Sequence, residues 1–427
     1  MHRLVGMLAA VLLLAACGGG GVEGGEAADS EAGAPEETAA DTAEEPAAEG
    51  DPIVIGMATT LSGSIALFGE ANRNGAQLAV DELNEDGGVV GRQVELIVRD
   101  DQAQPEEGAT IARDLIIDDE VSVLLGPVSS GVALAITEIA EERQIPFITH
   151  TANTEALTTE AFHPYFASVV PSTGMEARAQ GVDLADEGYA RWATIAPNYE
   201  FGQRQTATFV ETIQAEGQGI EIVEQQFPEL GEADLQPFIT SILSAQPDAV
   251  YSPLFAGDLV TFTQQAANLG FFDQVFFTAL YETDALQELG DQYDLEGVRG
   301  YSRCPFTIDT PQMAAFVEVY SEQYGEVPSD WACMAYDAVK LWAGVTEEAG
   351  DVSGQAFADN VGGFAFTSLR GDTEIRDVDH QAAVPSYIGT LALDEELGFY
   401  TYPEPQAVPA EDIWLDEAAV EATREGS

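Results

Sequence analysis

The chain has 427 residues, 75 acids against 15 bases and a formal net charge of −60. Fourteen arginines and one lysine, Lys340, are too few to build a basic face, which excludes nucleic-acid phosphate as a partner. Such acidity suits a salty or alkaline medium, where counterions screen self-repulsion, and it carries no information about fold.

Met1-His2-Arg3 is a short basic start, and Leu4 to Ala16 is an apolar run too short to span a bilayer. The run ends Leu14-Ala15-Ala16-Cys17, which reads as a bacterial lipobox. Residues 1–16 are therefore expected to be a lipoprotein signal peptide, with diacylglycerol on the Cys17 thiol. There is no twin-arginine pair, so the general export route is expected. Residues 17–51 follow, rich in Gly, Ala, Glu, Asp, Thr and Pro. From Gly18 to Asp51 the segment holds eleven acids, no base and no aromatic residue. It cannot bury enough apolar surface to offset the entropy of ordering, and its charges repel one another. A disordered acidic tether is expected, with the membrane reached through the lipid alone.

The body from Pro52 onward exceeds what one hydrophobic core organises, so two lobes are expected. Short runs rich in β-branched or aromatic residues lie at Ile53–Met57, Val94–Val98, Val121–Leu125, Pro146–Thr149 and Phe166–Val169. Helical patterns separate the first four, at Gly69–Asn84, Glu106–Ile117 and Gly131–Arg143. The series restarts with strands at Ala193–Ala196, Glu221–Gln226, Ala249–Ser252 and Val275–Thr278. Its helices fall near Gln203–Glu216, Leu235–Ala245 and Leu259–Leu269. Alternation of this kind predicts parallel sheets covered by helices, an α/β fold of two Rossmann-like lobes facing a cleft. Ligands of such folds bind beyond the carboxyl ends of the strands.

Three strand-end loops answer that description. Leu61–Gly69 carries turn glycines and Phe68, an apolar surface for the cleft rim. Gly126-Pro127-Val128-Ser129-Ser130-Gly131 places serines at the start of the third helix. There a hydroxyl caps the helix or, with free N–H groups and the helix dipole, receives a carboxylate. Thr149-His150-Thr151-Ala152-Asn153-Thr154 offers hydroxyls, an amide and exposed backbone. His150 in that loop is open to two readings, a ligand contact and, in first place, a cap of the loop. Asp100-Asp101, adjacent acids at a strand end, are read as loop caps or solvent-facing groups.

In order and spacing, these segments resemble the periplasmic solute-binding proteins of the branched-chain amino acid (Leu/Ile/Val) ABC transporter type, fold type I. The likeness runs through Ile55-Gly56, Ser62-Gly63, Phe68-Gly69, Gly87–Arg92, Arg99-Asp100-Asp101, Gly126–Ser130 and Leu157-Thr158. It continues through Asn198–Gly202, Ala266–Gly270 and Tyr336-Asp337-Ala338. The resemblance implies a three-strand hinge, with a crossing at Tyr301–Phe306. It implies an amino-terminal lobe of residues 52–170 plus 301–380 and a carboxyl-terminal lobe of 171–300 plus 381–427. It makes Ser129 and Ser130 holders of a ligand carboxylate, assisted by Thr151, Ala152 and Asn153. Phe68 would flank the ligand side chain, and Tyr199, Phe201 and Phe255 would line the second lobe. The family's acid for a ligand amino group falls in the stretch containing Tyr281 and Glu282, where Glu282 fits only after a shift of register. An amino acid and a carboxylate or amide without an ammonium group are thus both open.

Cys304 and Cys333 remain after Cys17 is assigned to lipid. They are expected to pair as a disulfide or to lie apart as two buried thiols; spacing leaves both open. No Gly-x-Ser-x-Gly elbow, His-Glu-x-x-His pair or Gly-x-x-x-x-Gly-Lys loop is present. The expectation is a binding protein rather than an enzyme, with no cofactor and no metal. It is expected to be a monomer, anchored on the outer face of the bacterial membrane and serving a permease with its ATPases. A ligand sensor for a membrane receptor and an extracellular hydrolase are the alternatives.

Overall fold

The computed structural model describes residues 50–63 and 65–426. The expected signal peptide, Cys17 and nearly all of the tether lie outside the described residues. The first series of elements is β1 (Ile53–Thr59), α1 (Ala66–Glu85), β2 (Val94–Asp100), α2 (Pro105–Ile117), β3 (Val123–Leu125), α3 (Ser130–Arg143), β4 (Phe147–Thr149) and β5 (Phe166–Ser168). Its strands form one parallel sheet in the order β2-β1-β3-β4-β5. Ile53, Ile55 and Met57 of β1 pack into the cluster that holds Ala76, Leu78 and Val80 of α1. Val54 and Ala58 point the other way, to Ile111 and Leu115 of α2 and Val132 and Ile136 of α3. Side chains alternate across a strand, and here helices cover both faces. That is why the strand reads as an almost unbroken apolar run.

The second series begins with α4 (Thr173–Leu184). It runs through β6 (Arg191–Ile195), α5 (Glu200–Glu216), β7 (Glu221–Gln226), α6 (Gln236–Ser244), β8 (Ala249–Ser252), α7 (Ala256–Asn268), β9 (Phe276–Leu280), α8 (Thr283–Leu289) and β10 (Arg299–Ser302). After β10 come α9 (Pro311–Tyr324), α10 (Asp330–Ala349), α11 (Gly354–Asn360) and the hairpin β11 (Ala365–Ser368) and β12 (Gly371–Glu374). The chain ends with β13 (Ser386–Thr390), β14 (Ala392–Asp394), β15 (Phe399–Thr401), β16 (Gln406–Val408), α12 (Ala410–Ile413) and α13 (Glu417–Gly426). The second sheet has the order β16-β13-β10-β9-β8-β6-β7. Strands β6 to β10 are parallel; β13 runs antiparallel to β10 and β16 antiparallel to β13. Trp192 and Tyr251 face Phe209 of α5, while Ala193, Val250 and Phe277 face Ile239 of α6 and Phe262 of α7.

Three segments cross between the two sheets. The first runs from β5 to α4, the second from β10 to α9, and the third from the β11–β12 hairpin to β13. The first and third are bonded to each other: Ser168 N–H donates to the His380 carbonyl at 3.0 Å, and Ala382 N–H to the Ser168 carbonyl at 2.8 Å. After the second crossing, α10 returns to the first sheet and lies on α1. A Cβ on Gly75 would fall 2.0 Å from the Ala332 carbonyl oxygen, so only glycine permits this backbone-to-backbone approach. Strands β13 and β16 complete the second sheet and β14 and β15 pair apart from it, whereas Arg424 of α13 donates to the carbonyls of Thr158 and Thr159 beyond the first. Among the described residues, no helix is long and apolar enough to cross a membrane.

Candidate functional site

The loops that follow strands of the first sheet converge where that sheet faces the second. Gly126 takes φ +106, and a Cβ there would fall 1.9 Å from the Ala58 carbonyl oxygen, so glycine is required for the turn out of β3. Ser129 is the N-cap residue of α3, and its side chain makes no cap hydrogen bond. Ser130 is the first helical residue, 2% exposed. The capping role open to these serines is therefore not used. Instead Ser130 joins free N–H groups at a helix start, where a negative charge is favoured. The β4 loop is tied down beside it. Ala152 N–H donates to the Pro127 carbonyl at 2.9 Å, Thr151 Oγ1 to Asn72 Oδ1 at 3.1 Å, and Asn153 Nδ2 to the Pro171 carbonyl at 2.8 Å.

Seven of the eleven candidate binding residues line one narrow cavity between the sheets: Phe68, Ser130, Thr151, Asn153, Tyr199, Phe201 and Phe255. Val128, Arg303 and Trp331 complete the wall. Phe68 is not the exposed rim expected of it. It is 1% exposed, 4.2 Å from Trp331 and 5.8 Å from Phe255 between ring centroids, so the lobes meet through aromatic rings. Phe201 meets Phe255 edge-on at 5.5 Å.

The other four candidates fall elsewhere. Ser129 is the half-buried N-cap of α3 and does not line the cavity, and Ala152 packs into the apolar cluster under the first sheet. Tyr281 belongs to the core of the second lobe, its hydroxyl 3.2 Å from Thr263 Oγ1. Glu282 is the N-cap of α8 and is fully buried; neither carboxylate oxygen has a hydrogen-bond partner. Burial pushes its carboxyl well above the usual range, and Asp330 adds to that while Arg303 opposes it.

Arg303 and Trp331 were missed for different reasons: Arg303 follows β10, a strand the sequence reading did not mark, and Trp331 opens α10, which no strand precedes directly. Arg303 is 3% exposed. Its Nε and Nη2 donate to the fully buried carboxylate of Glu176, and Nη1 donates to the Thr151 carbonyl at 3.2 Å. The guanidinium also lies 5.0 Å from the Trp331 ring and 5.8 Å from that of Phe201, within cation–π range. A tripeptide signal did exist, in Tyr301-Ser302-Arg303 at the expected crossing, but sequence gives no hint that its arginine turns inward. Cys304, the next residue, is disulfide-bonded to Cys333, with Cα atoms 6.4 Å apart.

His150 is fully buried and does not line the cavity. Its Nδ1 is 2.9 Å from Thr151 Oγ1, Nε2 has no partner, and burial lowers its pKa to about 3. Asp100 and Asp101 are loop caps, as read from the sequence. Asp100 Oδ1 accepts from Leu61 and Gln102 N–H, and Asp101 Oδ1 from Thr60 Oγ1 and Ala103 N–H. Among the described residues, no group of three or more His, Cys, Asp or Glu is placed to hold a metal.

Two α/β lobes with a narrow polar and aromatic cavity between them and three crossings are the geometry of a clamp. The family model described as periplasmic binding protein matches residues 52–395. The chain belongs to the periplasmic binding protein family. The Leu/Ile/Val-binding protein BraC3 of Rhizobium johnstonii is 31% identical over 203 residues, 47% of this chain and 53% of that protein; this match thus spans about half the relative's length. A leucine-, isoleucine-, valine-, threonine- and alanine-binding protein of Pseudomonas aeruginosa is 23% identical over 75% of this chain and 85% of its own. Among solved structures, a solute-binding protein of an ABC transporter from Rhodopseudomonas palustris BisB5, in complex with 3,4-dihydroxybenzoic acid, superposes with TM-score 0.78. It is 25% identical and covers 84% of this chain and 98% of its own. This periplasmic binding protein is thus of the ABC-transporter solute-binding type, and its relatives are binding proteins rather than enzymes.

Proposed function

We propose that this protein captures a small carboxylate with a flat or apolar body and delivers it to the permease of an ABC importer. The observation that carries the ligand class is the cavity wall. Phe68, Tyr199, Phe201, Phe255 and Trp331 supply ring faces, while Ser130, Thr151, Asn153 and Arg303 supply polar groups, and no Asp or Glu is among the lining residues. A ligand carboxylate would meet the N–H groups and dipole at the start of α3. The rings would cover its body as the lobes close. A wall without a carboxylate offers no counter-charge to an ammonium group, while Arg303 offers one to an acid, which favours acids such as the dihydroxybenzoate held by the R. palustris protein.

An α-amino acid is the second reading. It is favoured by the ligands named for the P. aeruginosa relative and by the unpartnered, buried carboxylate of Glu282. Thermal-shift and calorimetric titration with benzoate, hydroxybenzoates and the branched-chain amino acids separates the two. Benzoates are expected to raise the melting temperature and amino acids to leave it unchanged. Stabilisation by leucine alone would establish the second reading.

Anchoring belongs to the same proposal. The Leu14-Ala15-Ala16-Cys17 boundary and the acidic segment after it support a lipid anchor on the outer face of the membrane. Cys17→Ala is expected to abolish incorporation of a fatty-acid analogue and release the protein to the medium. Equal labelling of variant and parent would remove the anchor.

A further inference from the structure

Arg303 combines three placements. Its main chain is fixed: Asp330 Oδ1 accepts from the N–H groups of Arg303 and Cys304, both at 3.1 Å, and the Cys304–Cys333 bond fastens the same stretch to the first turn of α10. Its side chain bridges the lobes. Nη1 holds the Thr151 carbonyl after β4 of the first sheet, while Nε and Nη2 hold Glu176 on α4, which packs with the second. Its guanidinium also forms part of the cavity wall, between Trp331 of one lobe and Phe201 of the other.

A planar group with its root pinned and its two edges on different bodies is sensitive to the angle between those bodies. Rotation of the lobes changes the separation of the Thr151 carbonyl from Glu176, and the rigid fork cannot follow both. Of the five guanidinium N–H donors, three are accounted for by these bonds, and two remain for an acceptor in the cavity. The Glu176 side is itself anchored. Its carboxylate also accepts from Gln205 Nε2, and Gln205 Oε1 accepts from the Tyr251 hydroxyl at 2.7 Å. This continues the contact from the cavity into the core of the second lobe.

We propose that Arg303 is the positioning residue that couples ligand occupancy to lobe closure: an anionic group on the free edge of its guanidinium completes the fork only when Thr151 and Glu176 are at their closed separation. The proposal rests on the reading of the cavity as a carboxylate site. Lysine keeps the charge but loses the fork, so it retains an ion pair with Glu176 without bridging the lobes.

The test is Arg303→Lys in the full-length protein, with dyes on Asp118→Cys and Glu216→Cys reporting interlobe distance by energy transfer and sodium benzoate as the probe. Wild type is expected to shorten that distance on saturation. Arg303→Lys is expected to bind benzoate about ten- to a hundredfold more weakly, the loss of a charge-assisted hydrogen bond, and to stay open when saturated. A wider distance distribution is expected for Arg303→Lys even without benzoate. Closure of saturated Arg303→Lys to the wild-type distance, or affinity within threefold of wild type, overturns the proposal. If wild type binds no benzoate, the ligand class has failed instead. Arg303 is then judged on the ligand-free distributions, and superimposable ones overturn its hinge role. Should Arg303→Lys fail to fold, the Glu176→Gln/Arg303→Met pair removes both buried charges together and is read the same way.

Discussion

The two walls of the cleft are built differently. The first lobe presents a helix start and a stapled loop, with Ser130, Thr151 and Asn153 facing the cavity. The second presents Tyr199, Phe201 and Phe255, from the starts of α5 and α7, while Arg303, at the crossing between the walls, supplies the charge. A directional polar wall can hold a ligand before closure, because its donors are bonded into place within one lobe. An apolar wall gains only when it covers something, since burial of apolar surface is non-directional and scales with area. The difference assigns recognition to the first lobe and the energetic gain of closing to the second.

That division can be broken most severely at the floor, where Trp331 belongs to the first lobe's core and to the cavity. Trp331→Ala is expected to cost about 3–5 kcal/mol in urea unfolding, the range for emptying a large buried aromatic site. Phe255→Ala is expected to cost less than half of that, because part of its packing is across the cleft against Phe68. Its larger effect is expected on ligand affinity. Equal stability losses at the two positions would show that the walls are not energetically distinct.

Ser130→Ala sharpens the comparison on the polar side. The hydroxyl is not a helix cap, so the melting temperature is expected to hold within about a degree, while ligand affinity falls about tenfold as one hydrogen bond is lost and the backbone donors remain. A fall in melting temperature with affinity unchanged would return Ser130 to a structural role.

The last comparison lies outside the cavity wall, on the buried carboxyl of Asp284. Burial first, and then the charge of Asp330, raises its carboxyl from 3.8 to about 7. Between those values the folded protein holds a proton that the unfolded chain has released. Its contribution to stability is therefore complete below pH 3.8 and is lost as pH rises through about 7. His150 acts in the opposite sense. Its pKa falls from 6.5 to about 3, so its contribution is complete above 6.5 and is lost as pH falls toward 3. Asp284→Asn is expected to flatten the decline in melting temperature between pH 4 and 8 and to leave the variant more stable than wild type at pH 8. Parallel curves for the two proteins would contradict the assignment.

Much of the scaffold was legible in the chain, and for a local reason. The strand–helix alternation of the first series, the helix start near Gly131, one residue from where it falls, and the loop at Thr151–Asn153 each follow from periodicity and turn chemistry within a dozen residues. Four cavity residues, Phe68, Ser130, Thr151 and Asn153, were reached that way, because a parallel sheet fixes which loops face the cleft once its strands are known; Tyr199, Phe201 and Phe255 came from the resemblance. Glu282 and Tyr281 show where that logic ends. They stand just after β9, as the rule requires, yet helix α8 begins at once and turns both side chains into the protein.

What sequence alone determined is therefore the α/β class, the two-lobed plan and the polar wall, since each depends on patterns read within single segments. Only the tertiary structure decided the pairing of Cys304 with Cys333, the burial of Phe68 between the lobes and the presence of Arg303 and Trp331 in the cavity. These are meetings of residues far apart in the chain. They were settled by the second crossing, which carries Arg303 out of the second sheet, and by Gly75, whose missing side chain lets α10 settle onto α1 and set Trp331 beside Phe68. Such contacts depend on the angle and separation of whole helices, quantities that no periodicity encodes.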